Sequence, residues 1–239
     1  YYNLENYPLA DLIAGRGLKA KKDDERLMFL QGKILLKKDN IPGAIKKFRE
    51  AIANNPDWIQ ARQEMGAISL SYRDFANAAE QFQSVVKHDK DNVPALLGLG
   101  IAYKGLGRYE EAEKSYTRVL ELRPKLPEVH WNIAILYHRD MAKYEKALTE
   151  YKKFKKLTSP NHPKRKGLDK TIEEVEQTIV ALKKMEKRMK KMEAMKKKAQ
   201  EALPAIEAAI KAGKYSQALA KASALDVNMI QDMKVANQL

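Results

Sequence analysis

The side chains in this chain best suited to proton transfer or metal binding are four histidines, and their spacing serves neither task. His130 and His138 stand two helical turns apart, beyond the i, i+4 interval at which one helix face chelates a metal. His88 and His162 are further away still, so lone surface histidines are the expectation. There is no cysteine, which excludes disulfides and thiolate chemistry. No glycine-rich loop is placed to cradle a phosphate, and no serine sits in a nucleophile motif. The paired acids Glu110–Glu111 and Glu173–Glu174 read as exposed helix charges. The sequence therefore predicts no catalytic residues, no metal, no cofactor and no enzyme. The chemistry that remains is recognition by charge and by apolar surface. Between Lys183 and Lys198 lie nine basic and two acidic residues, and the whole chain carries a formal charge of +14. Such an excess suits an acidic partner, a nucleic acid or an anionic membrane face, and equally suits a solvated surface.

The elements that must position these groups follow from an internal period. Gly32, Gly66 and Gly100 are spaced by 34 residues, as are Ala44, Ala78 and Ala112, and the rings of Phe48, Phe82 and Tyr116. A fixed period of this length in helical sequence means one helix pair copied along an array. The first full unit is Glu25 to Trp58, the second Ile59 to Asn92 and the third Val93 to Leu126. A fourth begins near Pro127 and carries one extra residue in the turn before Tyr144. Each shared position has a physical reason. A side chain at the glycine would push apart two helices that cross closely, the alanine faces the same crossing, and the ring four residues on reaches the neighbouring unit. Gly107 and the Arg73–Asp74 pair sit where the first helix must stop. Pro56 and Pro124 close units, because proline cannot continue a helix.

In phase and composition this pattern resembles the tetratricopeptide repeat family, over at least residues 25 to 158. The resemblance implies an all-α fold: a right-handed α-solenoid of helix hairpins, followed here by a long basic helix and a C-terminal helical hairpin. Tyr7, Pro8 and Ala10 precede Ile41, Pro42 and Ala44 by the same 34 residues, and Tyr1–Tyr2 align with Leu35–Leu36. Residues 1–24 thus read as the end of a first helix and the second helix of a partial repeat, and further repeats are predicted upstream of Tyr1. Residues 25–158 hold four units and residues 159–167 a linker rich in breakers. Residues 168–202 form a long Lys/Met-rich helix, and 203–239 a degenerate hairpin. In that hairpin Gly213, Tyr215 and Ala218 repeat the turn signature of Gly107, Tyr109 and Ala112. Asp226 to Leu239 either add a short helix or trail off.

In this family the first helices line a concave inner surface where peptides or partner helices lie. Transferred position by position, that surface here holds Phe29, Lys33 and Lys37, then Gln60, Gln63 and Leu70, then Leu97, Ile101 and Lys104, then Trp131, Ile135, His138 and Arg139. One variant of the family grips a C-terminal carboxylate with lysines and asparagines. Here those places hold Phe29, Lys33, Glu64, Pro94 and Gly98, so that clamp is absent. The resemblance implies a non-enzymatic scaffold that docks other protein subunits or peptide segments, amphipathic and with acidic flanks, in a larger assembly. The competing expectation for Phe29 and Trp131 is packing within the array.

The long helix has two faces. Ile172, Val175, Ile179, Leu182, Met185, Met189, Met192 and Met195 form a stripe suited to a coiled coil, and core or coil packing is the leading expectation for it. An adaptable partner surface is the other. The basic face, Lys183, Lys187, Lys190, Lys191, Lys197 and Lys198, supports the alternative function of sequence-independent polyanion binding to nucleic acid or an acidic membrane. No aromatic residues interleave with these lysines, so base stacking is not expected. The absence of cysteine and the lysine-rich helices fit a bacterial protein, the envelope side of the membrane slightly favoured over the cytoplasm.

Overall fold

The computed structural model describes residues 6–225. The chain divides into two units, Tyr1–Ile172 and Glu173–Leu239. The alignment of Tyr1–Tyr2 and the fate of Asp226–Leu239 lie outside the described residues. No strand occurs among those described.

In the first unit the helices alternate in the register read from the sequence. First helices are α2 (Glu25–Lys37), α4 (Ile59–Ser71), α6 (Val93–Gly105) and α8 (Pro127–Ile135). Second helices are α1 (Tyr7–Ala20), α3 (Ile41–Asn54), α5 (Phe75–His88), α7 (Tyr109–Leu122) and α9 (Tyr144–Leu157). Side chains set several of the starts: Asp24, Asn40, Asp74 and Asn92 accept from the free backbone N–H groups of the first turns of α2, α3, α5 and α6. Prolines occupy the first turns of α1, α3, α6 and α8, where no intrahelical donor is lost.

The hairpin turns share one geometry. Asp39, Arg73 and Gly107 each take positive φ (56°, 59° and 73°), and the next residue's N–H returns to the carbonyl five back, as in Asp74 to Ser69 at 2.8 Å and Arg108 to Tyr103 at 2.9 Å. The extra residue of the fourth unit is absorbed by a π-helical turn, Leu136–Asp140, that extends α8. It moves the positive-φ position to Ala142 (φ 51°), and Lys143 N–H then reaches back six residues to Tyr137.

The glycine seam departs from the sequence reading in one respect. Each ring lies first on the glycine of its own unit, and reaching the neighbour is secondary: Phe48 covers Gly32, Phe82 covers Gly66 and Tyr116 covers Gly100. A Cβ would stand 2.7 Å from the Phe82 ring at Gly66 and 2.5 Å from Tyr116 at Gly100. Phe82 also touches Gly98, and Phe75 lies on Gly105, which extends the seam into the next unit. Ala44, Ala78, Ala112 and Ala147 are buried beside it.

The last long helix, α10, runs Leu168–Lys211, 44 residues and about 66 Å. The expected end at residue 202 is passed because Pro204 is taken into the helix. A proline inside a helix removes one N–H and crowds the carbonyl four residues before it, yet does not always end the element. In the second unit α10 itself therefore supplies the first arm of the C-terminal hairpin. Gly213 (φ 72°) makes the turn, with Lys214 N–H on Ala209 O at 2.9 Å, and a helix, α11, is described over 215–225. Ala218 is buried, as its counterpart Ala112 is.

Candidate functional site

The first helices α4 and α6 lie against each other, a contact not seen to the same extent between second helices. Elements that crowd together lie inside the curve. The residues assigned to the inner surface from the sequence fall into two groups.

One group is engaged within the array. Phe29 sits 5.6 Å from the Phe48 ring and 6.2 Å from Trp58, part of the first unit's core. Trp131 lies 5.0 Å from Phe154 and 5.9 Å from Tyr151, with Lys164 Nζ over its other side at 5.7 Å. The two aromatic anchors thus join helices and are not free hooks, as the competing expectation held. Lys33 donates to Glu64, and Gln63 Nε2 donates to Asn92 Oδ1 at 2.8 Å, holding the carbonyl that caps α6. His138 packs its ring against Tyr144 and Tyr151.

The other group faces outwards. Leu70, Leu97, Ile101 and Ile135, on α4, α6 and α8, are half-buried, and Ala67 and Gln60 on α4 are exposed. Exposed Lys37 and Arg139 and half-buried Lys104 are the basic members of this group. Lys104 Nζ stands 3.9 Å from Asp140, too far for a hydrogen bond.

His130 overturns the expectation of lone surface histidines. It is 3% exposed, with Nε2 2.9 Å from the Pro124 carbonyl and Nδ1 2.6 Å from Glu150 Oε2. Both ring nitrogens thus face oxygen acceptors. Lys153 Nζ donates to the other Glu150 oxygen at 2.9 Å. Two units earlier Arg62 fills the same place: Nε donates to Pro56 O at 2.6 Å and Nη1 to Gln81 Oε1 at 3.0 Å. The signal was in the sequence, since Arg62 and His130 stand two periods apart, each six residues after the proline that closes a unit. The bridge ties the inter-unit turn to both helices of the next hairpin.

A second polar knot lies between the third and fourth units. Glu113 accepts from Lys143 at 2.7 Å, Tyr137 at 2.8 Å and Lys146 at 3.3 Å. Burial works against the charge of Glu113, but these donors outweigh it and hold the carboxyl below its ordinary range. Burial and the same carboxylate push the Tyr137 phenol up.

On α10 the lysines of the basic face are all exposed, set along a convex helix surface instead of around a pocket. Among the described residues no three His, Asp or Glu side chains could hold a metal, and no helix is long and apolar enough to cross a membrane. The stripe on the same helix is buried only at its start, at Ile172 and Val175. From Leu182 (44% exposed) through Met185, Met189 and Met192 it lies open, so over these residues it is not packed into a core, against that part of the expectation.

A family model described as tetratricopeptide repeat matches residues 69–132. Superkiller protein 3 of Schizosaccharomyces pombe (strain 972 / ATCC 24843) is 35% identical over 85 residues, 36% of this chain and 6% of that much longer protein. Among solved structures, MamA MSR-1 is 26% identical with a TM-score of 0.58, over 65% of this chain and 88% of its own. YrrB, described as a TPR protein with an unusual peptide-binding site, superposes with a TM-score of 0.62 over 67% of this chain and 82% of its own; at 17% identity it speaks to the fold alone. With the helix phase, the shared turns and the glycine–ring seam, these likenesses support the tetratricopeptide repeat family for the helix hairpins of the first unit.

Proposed function

We propose that this chain is a non-enzymatic scaffold whose inner wall docks a segment of another protein within an assembly. The observation that carries the reading is that Leu70, Leu97, Ile101 and Ile135, on three consecutive first helices, are only half-buried; we read them as an apolar strip edged by Lys104 and Arg139. A helix or extended segment with apolar side chains every few residues and acidic flanks fits such a wall. Leu97→Asp, Ile101→Asp and Ile135→Asp together place charges on the strip without touching the glycine seam. The variant should keep its helical circular dichroism and lose the proteins that cross-link to a photoreactive residue at position 67 in the parent chain. If the same proteins cross-link with equal yield, docking on this wall is wrong. Trp131 is left out of the variant because it joins α8 to α9. The alternative, polyanion binding through Lys183, Lys187, Lys190, Lys191, Lys197 and Lys198, has charge in its favour and no cleft or stacking surface, and we do not adopt it.

A further inference from the structure

A second apolar surface runs along α10 in the C-terminal unit. Leu182, Met185, Met189, Met192, Lys196, Ala199, Leu203, Ile206 and Ile210 follow one another at alternating intervals of three and four. That is an unbroken coiled-coil seam across Pro204, about 42 Å long. Leu182, Met185, Met189, Met192, Leu203 and Ile210 are 44–60% exposed, an arrangement far from the isolated apolar residues that ordinary surfaces show.

The edges of the seam say what fits it. Placed on the helix, Glu186, Glu193 and Glu207 flank the seam on one side and Arg188 on the other, with Lys196 inside the seam itself. A second copy in parallel sets Lys196 against Lys196. A second copy in antiparallel sets the glutamate edge against itself, since like edges then face each other. An anionic lipid surface meets Glu186, Glu193 and Glu207 beside the seam, while the lysines stand further round the helix, Lys183, Lys190 and Lys197 on one side and Lys184 and Lys191 on the other. We infer that the exposed seam of α10 is a heteromeric coiled-coil site, taking an amphipathic helix of another protein that has carboxylates opposite Lys196 and Arg188 and a basic edge against Glu186–Glu193–Glu207.

The test uses the full chain and two synthetic helical peptides with leucine seams. One carries the complementary charges just described, the other the same residues with every charge reversed. The complementary peptide should bind more tightly by about tenfold or more, with affinity that falls as salt rises, and Lys196→Glu should narrow or invert the preference. Met189→Glu, at a side chain 58% exposed, should abolish binding while circular dichroism stays unchanged. Equal affinity for both peptides, or an indifferent Lys196→Glu, would overturn the proposal. So would self-association in sedimentation equilibrium that Met189→Glu removes, or capture by phosphatidylglycerol vesicles that it removes. The Leu97, Ile101 and Ile135 variant should bind the peptide normally, which separates this site from the inner wall.

Discussion

Gly66 and Gly100 are glycines because an aromatic face occupies the space a methyl group would need. Gly66→Val should shift the urea midpoint down, by about 1–3 kcal/mol of stability, and Phe82→Leu in the same chain should recover part of that loss. A double-mutant cycle with no coupling would show that the ring does not set the glycine. His130→Ala leaves Glu150 buried beside a single lysine, and should cost about 3–5 kcal/mol; Glu150→Gln with it should cost less than the sum. For Glu113 the folded carboxyl lies below its unfolded value. Its contribution is present above the unfolded value and is lost as pH falls through the folded one. Denaturant titrations between neutral and acid pH should show that Glu113→Gln has its largest effect near neutrality and little at the acid end.

At the level of elements, the hairpins stop where one residue adopts positive φ, and glycine is used only at some of these places. Ala142 holds φ 51° and Arg73 φ 59°, a region that disfavours a side chain. Ala142→Gly should raise stability by up to about 1 kcal/mol, whereas Gly107→Ala should lower it by a similar amount, both read as shifts in urea midpoint. The turns after Gly107 and Gly213 were legible beforehand, because glycine there advertises the conformation. The end of α10 was not. Pro204 is a helix breaker by local rule, and its inclusion depends on the good helix formers that surround it from Met185 to Lys211. The extra residue near Met141 was visible as a count, but not the π-helical turn that absorbs it, since either a longer loop or a wider helix turn satisfies the same count.

For the molecule as a whole, the two proposed docking faces are apolar surfaces that the fold leaves open. The inner wall and the α10 seam are two such faces with different edge charges, so their occupants should be separable. Variants of one face should leave binding at the other intact, measured in parallel by cross-linking and by peptide titration. Family phase assigned thirteen residues to the wall, and nothing in the sequence set Phe29 and Trp131 apart from the rest as packed or free. Both aromatic residues sit on inward positions and were equally good anchors on that evidence. Only the neighbouring rings of Phe48 and Trp58, and of Tyr151 and Phe154, show them consumed by packing.

Period alone determined the helix pairs, their starts and the small-residue crossings, because a close helix crossing constrains residue size locally and repeats wherever the crossing repeats. Tertiary structure decided which side chains remain available. Burial of His130, engagement of Trp131 and exposure of Met185, Met189 and Met192 depend on what stands across from each residue, and a neighbour distant in the chain leaves no mark on the residue's own spacing.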